Sequence, residues 1–405
     1  MTRILVVQNL YPPHSYGGYE HSCHDVVERW RRAGHEVTVL TSDHRVAGMT
    51  DTPEHDVWRR LPAALGQGGV LAAPPVGARL ARERASRKLL AEAIASVQPD
   101  VVSLWHMAGL SSALLSDLAG GELPLVYVIC DDWLTYAQRV DPWLRMFATR
   151  PRLGRLVAGA TGVPTTPVAL GSTGTFCFAS ETTRQRAIDH TGWAFPSSVI
   201  TSLGVDTADF PVAPGPRPAP WRGRLLYVGR LDARKGVDTA VAAMAHLPAA
   251  TLELAGPADP ATASRLIARA HELDVADRVT FTGAVPRSAL RARYVGADAV
   301  LFPTEWEEPF GIVPLEAMAC ATPVIATGTG GSGEFLVDGD NCLQFPPGDA
   351  AALAAAVERL ASDAALRARL VDGGLRTAAT LTVDALAEAL ERVHTSVAKA
   401  SRQPR

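Results

Sequence analysis

Short apolar runs alternate with helical patterns throughout the chain. In the first half the runs are RILVVQ, HEVTVLT, DVVSLW and LVYVIC. The segment after the first run has one apolar helical face, and Gly34 ends the helix. That face carries Cys23, Val26, Val27 and Trp30. Continuous apolar strands that alternate with helices are typical of a parallel sheet covered on both faces. The first half therefore predicts a doubly wound α/β domain.

The second half repeats this alternation. Its apolar runs are RLLYVGRL, TLELAG, VTFTGAV, AVLFPT and PVIATG, and a helix is predicted over residues 236–247. A proline-rich stretch, residues 210–224, separates the halves and is typical of an exposed connection. We therefore predict two domains, residues 1–205 and 206–381. Parallel sheets bind ligands at the carboxyl ends of their strands, so two such domains placed face to face would form a cleft.

Two stretches do not fit this pattern. Residues 61–77 and 139–175 are rich in Gly, Pro, Ala and Thr and have only weak periodicity. Long irregular insertions in a compact domain usually serve as lids, binding loops or mobile segments. We expect both stretches to be irregular.

Composition and charge narrow the function classes. The 405 residues include 39 Lys and Arg against 42 Asp and Glu, a net charge of −3, so no overall field attracts nucleic acid or anionic membranes. The five cysteines are scattered, which favours reduced, buried thiols in a cytoplasmic protein. The first apolar run is too short for a signal peptide, and no run reaches the length of a membrane span. We expect no nucleic-acid partner and at most peripheral membrane contact, on the inner face. The sequence does not indicate the oligomeric state.

Two candidate anion sites follow predicted strands. Gly17 and Gly18 come after the first strand and open a helix, where backbone N–H groups can hold a phosphate. A tight turn is the alternative. Arg230 and Lys235 follow the strand RLLYV and together could neutralise most of a diphosphate, although a solvated basic loop would look the same.

A third candidate combines two carboxylates with a helix start. Glu308 lies in the loop after AVLFPT, and Glu316 lies early in the next predicted helix. Carboxylates suit paired sugar hydroxyls, while the N–H groups around Gly311, Ile312 and Val313 suit a phosphate. Helix capping by Glu316 and a solvated acidic loop are the alternatives. The following glycine-rich stretch TGTGGSGE fits close backbone approach to a ligand or simple loop flexibility equally well.

These motifs resemble glycosyltransferase family 4, whose members are retaining, nucleotide-sugar-dependent enzymes. The matching pieces are GGYEHSCHDVVERWRRAGHEVTVLT, LGVD, YVGRLDARKGVD, VTFTGAV, EPFGIVPLEAMACATPVIAT and GGSGEFLVDGDN, in the family's order. The resemblance implies an α/β chain of GT-B fold, with two doubly wound, Rossmann-like domains facing each other across a cleft. It also implies that a C-terminal helix, about residues 382–405, packs back onto the N-terminal, acceptor-side domain. Residues 206–381 would then form the domain for the nucleotide-sugar donor.

The resemblance also implies residue roles. Glu308 is similar to the glutamate at the donor sugar hydroxyls, and Glu316 to the one that binds the nucleotide ribose. Arg230 and Lys235 resemble the pair that stabilises the diphosphate leaving group. The backbone near the donor is implied to come from Gly17, Gly18, Val285, Gly311, Ile312 and Val313. No metal and no other cofactor is expected, and the Asp-Gly-Asp string at residues 338–340 is predicted to be a turn.

The chain departs from the family pattern at one position near the reacting centre. The strand LVYVIC commonly ends in a His-Asp pair in the family, but Cys130 stands here in place of the histidine, before Asp131. A thiol does not replace an imidazole near neutral pH unless its pKa is lowered. Three interpretations stay open: front-face transfer that needs no histidine, assistance from His106 or Asp131, and an enzyme that is impaired or changed in chemistry.

The sequence thus predicts a retaining hexosyltransferase that takes a nucleoside-diphosphate sugar and a hydroxyl acceptor. A nucleotide-sugar epimerase of the same fold and a non-catalytic nucleotide-sugar-binding protein are the alternatives. The acceptor, whether small molecule, glycan or lipid, is not specified. The basic helix of residues 78–88 could meet a membrane or an anionic acceptor, although a solvated helix face explains it more simply.

Overall fold

The computed structural model describes residues 1–51, 54, 56–213 and 220–402. The chain forms two compact units. Unit 1 comprises Met1–Ser202 and Leu386–Arg405, and unit 2 comprises Leu203–Ala385. Residues 214–219 of the predicted proline-rich connection and residues 403–405 of the predicted last helix lie outside the described residues.

Unit 1 is built on a parallel sheet with the strand order β3-β2-β1-β4-β5-β6-β7. The strands are β1 (Arg3–Gln8), β2 (Glu36–Ser42), β3 (Val57–Leu61), β4 (Val101–Leu104), β5 (Leu125–Ile129), β6 (Thr175–Phe178) and β7 (Ser198–Ile200). The helices are α1 (Gly18–Arg32), α2 (Val76–Val97), α3 (Ala113–Ala119), α4 (Trp133–Val140), α5 (Pro151–Thr161) and α6 (Glu181–Thr191). Short 3₁₀ turns occupy Gln67–Gly69 and Leu144–Met146.

Unit 2 has a second parallel sheet, in the order β10-β9-β8-β11-β12-β13. The strands are β8 (Arg224–Val228), β9 (Thr251–Ala255), β10 (Val279–Gly283), β11 (Ala299–Phe302), β12 (Val324–Ala326) and β13 (Leu343–Gln344). The helices are α7 (Val237–Ala243), α8 (Pro260–Glu272), α9 (Arg287–Gly296), α10 (Ile312–Ala319), α11 (Ala350–Ser362) and α12 (Ala364–Thr380). Its 3₁₀ turns are Ala233–Lys235, Met244–His246, Ala276–Arg278 and Gly330–Glu334.

The last helix, α13 (Val383–Arg402), joins unit 1 from Leu386 on. The indole Nε1 of Trp30 on α1 donates a hydrogen bond to the carbonyl of Ala387 at 3.0 Å. The buried His394 ring lies 2.9 Å from the hydroxyl of Ser103 on β4. The helix therefore covers α1 and the middle of the unit 1 sheet.

In each sheet the spatial order of the strands changes direction at one switch point. This point lies between β1 and β4 in unit 1 and between β8 and β11 in unit 2. The loops after such strand pairs diverge and leave a crevice at the carboxyl edge, where open α/β sheets bind ligands. Ligand-binding side chains are therefore expected in the loops after β1, β4, β8 and β11.

The sequence prediction was wrong for part of residues 139–175. These residues include the 11-residue helix α5. Of its residues only Gly154 is buried, and Arg152, Leu153, Arg155 and Leu156 are all exposed, so no buried apolar stripe marks the helix. The five cysteines are buried and form no disulfide, as predicted. Within the described ranges, no helix is long and apolar enough to cross a membrane.

Candidate active site

The loop after β8 positions the two predicted phosphate-binding cations. Arg230 follows the strand and is exposed, and its carbonyl accepts a hydrogen bond from Tyr227 at 2.7 Å. Lys235 ends a 3₁₀ turn, directly before Gly236, whose φ is +67°. A Cβ on Gly236 would lie 1.8 Å from the carbonyl oxygen of Pro303, so only glycine lets the loops after β8 and β11 approach this closely.

Lys235 and Glu308 meet at the switch point of unit 2. The Nζ atom of Lys235 lies 2.5 Å from Oε2 of Glu308, although 73 residues separate them in the chain. The indole Nε1 of Trp306 donates to the same carboxylate oxygen at 3.0 Å. The side chain of Glu308 is 11% exposed. The Glu308 carboxylate is therefore buried and fixed by hydrogen bonds from Lys235 and Trp306, and it is not a solvated loop residue.

The glycine-rich stretch after β12 supports the backbone of Glu308. Gly331 donates its N–H to the Glu308 carbonyl at 2.7 Å. Gly330 has a φ of +61°, and a Cβ there would lie 2.6 Å from both the nitrogen and the carbonyl oxygen of Glu308. Of the two interpretations that the sequence left open, close backbone approach is correct, and the approach is to Glu308.

Glu316 is buried in α10 and does not cap that helix. It stands at the fifth helical position, and its Oε2 accepts a hydrogen bond from the Tyr294 hydroxyl at 2.6 Å. The capping alternative is therefore wrong, because the N-cap is Gly311, without a side-chain hydrogen bond. Burial, and then the charge of Glu316, raises the pKa of Tyr294, which keeps the phenol protonated as a donor.

The backbone candidates of unit 2 lie at the same edge of the sheet. Gly311 precedes α10, and Ile312 and Val313 are its first two residues, so their N–H groups belong to the unpaired first turn. Val285 follows β10 by two residues and is half-buried. Trp306 and Tyr294 were not among the sequence candidates, although they hold the two predicted carboxylates.

In unit 1 the loops after β4 and β5 bring His106 and Asp131 together. Nε2 of His106 lies 3.1 Å from Oδ2 of Asp131 and 3.1 Å from the hydroxyl of Tyr136. Burial would lower the pKa of His106, but the charges of Asp131 and Glu20 outweigh it, and the pKa is raised overall. An imidazole from the loop after β4 therefore lies beside the carboxylate that follows Cys130.

Cys130 itself is not an acid or base. Burial, followed by the charge of Asp131, raises the pKa of its thiol, so that it stays protonated near neutral pH. Gly17 is the N-cap of α1, and its N–H already donates to Oε2 of Glu20 at 3.0 Å. Gly18 opens the helix and is exposed.

The Asp-Gly-Asp string forms the predicted turn. Asp338 accepts a hydrogen bond from the N–H of Gln344 at 2.8 Å, and Asp340 pairs with Arg376 at 3.0 Å. Both carboxylates are thus already bonded to other residues of unit 2. In the part of the chain that the structure describes, no group of three or more His, Cys, Asp or Glu side chains is arranged to hold a metal ion.

Two family models match almost the whole chain. Glycosyltransferase Family 4 matches residues 16–209, and Glycosyl transferases group 1 matches residues 221–376. The first covers most of unit 1 and the second most of unit 2, including the Lys235 and Glu308 loops.

Two relatives differ in how much of the chain they match. A glycogen synthase of Mycobacterium tuberculosis is 30% identical over 431 aligned positions, which span 99% of this chain and 96% of the relative. A D-inositol 3-phosphate glycosyltransferase of Xylanimonas cellulosilytica is 36% identical over 42% of this chain and 43% of its own length.

Solved structures show the same architecture. Sucrose-phosphate synthase of Thermosynechococcus elongatus superposes with a TM-score of 0.76 at 24% identity, over 99% of this chain and all of that one. Anabaena HepE, in complex with UDP and glucose, gives a TM-score of 0.70 at 18% identity over 98% of this chain and all of its own. These likenesses confirm the GT-B fold. With the family models and the full-length relative, they lead to one conclusion: the chain belongs to glycosyltransferase family 4.

Proposed function

We propose that the protein is a retaining, metal-independent hexosyltransferase that uses a nucleoside-diphosphate sugar and a hydroxyl acceptor. The observation that carries the proposal is the contact between Lys235 and Glu308 at the switch point of unit 2. It sets a cation beside a carboxylate where parallel sheets bind ligands. A nucleotide sugar joins an anionic diphosphate to a ring of hydroxyls, and the pair is complementary to that junction.

Each part of the site has a role in this reaction. As the bond between the anomeric carbon and the phosphate oxygen breaks, negative charge grows on the diphosphate. Arg230, Lys235 and the first N–H groups of α10 stabilise that charge. Glu308 accepts hydrogen bonds from sugar hydroxyls, and Glu316 accepts them from the ribose. The solved complex of HepE with UDP and glucose supports a donor of this class.

The donor assignment is tested by thermal shift with UDP-, GDP-, ADP- and dTDP-glucose. A bound donor is expected to stabilise the protein by about 2.7 kcal/mol at a hundredfold excess over its Kd. Glu316→Gln should abolish the shift, because the amide places an NH₂ donor group where one carboxylate oxygen accepted, while its carbonyl oxygen can still accept the hydrogen bond from Tyr294. EDTA should change nothing.

The outcomes separate the alternatives. A shift with one nucleotide that disappears in Glu316→Gln supports the site. No shift with any donor contradicts it. Tight binding without transfer to any acceptor would favour the non-catalytic alternative, and a changed sugar in the product would favour the epimerase.

We further propose that His106 and Asp131 assist transfer in place of the absent histidine. His106→Gln is expected to lower kcat by about 100-fold without weakening donor binding. The His106 imidazole should also make the stability of the folded protein depend on pH. Its pKa is raised in the folded protein, so its contribution to stability is present below the unfolded pKa and is lost as pH rises through the folded value.

The measurement is the difference in Tm between the native protein and His106→Gln, from about pH 6 to about pH 9. It should be largest at the acidic end and shrink as pH rises. His246→Gln, at an exposed position of unit 2, is the control and should show no such trend. Unchanged kcat together with a pH-independent difference in Tm would contradict the role.

A further inference from the structure

Unit 1 contains a cavity of about 540 Å³ beside the His106 loop. One wall comes from the first irregular segment, at Leu71, Ala72 and Ala73. The opposite wall comes from the end of α4 and the segment after it, and Gly109 and Leu110 lie between them. These two follow His106 by three and four residues in the chain. The volume is in the range typical of pockets for small molecules.

The walls are held together by two arginines of α2. Arg79 donates from Nε to the carbonyl of Pro74 at 3.0 Å and from Nη1 to that of Pro142 at 3.1 Å, so it joins the two segments. Arg82 donates to the carbonyls of Pro62 and Gly109 at 3.2 and 2.9 Å. Side chains of the long helix α2 thus hold the cavity walls in position, although much of each wall is a loop.

A buried polar network adjoins the cavity through Asp141, whose Oδ2 lies 4.0 Å from Nη1 of Arg82. Arg82 pairs with Glu83 at 2.7 Å, and Glu83 also accepts a hydrogen bond from the hydroxyl of Ser111. The carboxylate of Asp141, which lines the cavity, accepts hydrogen bonds from the N–H groups of Trp143 and Leu144, both at 2.9 Å. Asp141 is therefore already satisfied by the protein.

The charge that remains at the cavity is positive. Arg79 and Arg145 both line it, and within the described ranges neither guanidinium is paired with a carboxylate. Arg79 uses Nε and Nη1 for backbone carbonyls, and Arg145 is exposed. Guanidinium groups with unused donors are suited to pair with a carboxylate or a phosphate. The rest of the lining is mainly Ala, Leu, Val, Pro and Met.

We propose that this cavity binds the acceptor, and that the acceptor is a small anion with an apolar portion. Its carboxylate or phosphate pairs with Arg79 and Arg145, and its apolar portion lies against Leu71, Ala72 and Ala73. This rests on the proposed transfer function, because only that function makes the ligand an acceptor. The binding chemistry itself rests on the cavity alone.

The test measures binding by isothermal titration calorimetry without any donor. The probes are 4-hydroxyphenyl phosphate, 4-hydroxyphenylacetate and the neutral 4-hydroxyphenylacetamide. The anionic probes should bind about tenfold or more tightly than the amide, the effect of one charge-assisted hydrogen bond. Comparison of the two anions tells whether a phosphate or a carboxylate is preferred.

Three variants locate the site. Arg145→Glu should remove the preference for anions, whereas Arg155→Glu makes the same charge change on the exposed side of α5 and should keep it. Ala73→Trp should fill the cavity and abolish binding of all three probes. The donor-induced thermal shift, measured in parallel, should persist in each variant and shows that the fold is intact.

The proposal is overturned if anionic and neutral probes bind equally, if no probe binds, or if the preference survives Arg145→Glu. These results are independent of the donor assay. Anion binding without any donor shift would leave the cavity as an anion site and count against the transferase proposal, whereas a donor shift without anion binding would count against the cavity alone.

Discussion

Glu308→Gln is expected to lower kcat/KM for sugar transfer by about 10²–10³-fold, the range seen when one preorganised electrostatic contact is removed from an active site. Gln keeps the size of Glu, so packing is preserved. The loss comes from charge, because the carboxylate pairs with Lys235 at 2.5 Å and is 11% exposed, where solvent screens it little. We expect the fall mainly in kcat, since the sugar hydroxyls gain their contacts as the donor reacts.

The matched control is Glu307→Gln, which removes an exposed carboxylate from the same loop. It should change kcat/KM by no more than about twofold, as surface substitutions usually do. Binding of the free nucleotide, measured by thermal shift, should survive in both variants. If Glu308→Gln kept activity within a few-fold of the native enzyme, the proposed role of Glu308 would be refuted.

The strands that sequence predicted well are those buried on both faces. LVYVIC contains β5 and AVLFPT contains β11, because a fully buried strand has no polar positions to obscure it. Both edge strands of unit 1 were missed. VWRRL, which is β3, carries two arginines, and SVI, which is β7, has only three partly exposed residues. Neither has an apolar run or a regular alternation, so only pairing with a neighbouring strand defines it.

The candidate site was predictable residue by residue but not in its contacts. Lys235 and Glu308 were both selected from their motifs, yet their contact depends on β8 and β11 being neighbours in the sheet. Trp306 could have been found, because a tryptophan within the polar loop EWEEPFG is unusual. Tyr294 could not, since in α9 it has the same spacing as an ordinary core residue.

Assistance from His106 or Asp131 was one of three open interpretations, and the contact between these two residues was not predicted, for the same reason. The two residues end β4 and β5, which are adjacent in the sheet, and a sequence without strand order does not show this. The departure at Cys130 was visible in the sequence, but the position of His106 beside Asp131 was not. Side chains that follow two neighbouring strands can meet when both strands end at the same edge of the sheet.

Lys235→Met should reduce kcat/KM by about 10³-fold, because it removes both the cation proposed for the leaving diphosphate and the partner of Glu308. It should also lower the free energy of unfolding by roughly 1–3 kcal/mol, since among the described side chains only the Trp306 indole would still donate to the buried Glu308 carboxylate. The adjacent Arg234 makes a matched control. It pairs with Asp232 at 2.9 Å, is 53% exposed, and by its hydrogen bond lowers the pKa of Asp232 to about 2.

Both cations lie over the ring of Trp306, at 4.9 Å for Arg234 and 5.2 Å for Lys235, so proximity to the loop does not distinguish them. The two cations are distinguished by the contact with Glu308, which Lys235 makes. Arg234→Met should therefore leave kcat/KM within about threefold of the native enzyme. Steady-state kinetics with the preferred donor and chemical denaturation measure the two effects. Equal losses in the two variants would mean that the loop contributes a general positive charge, and would overturn the specific assignment of Lys235.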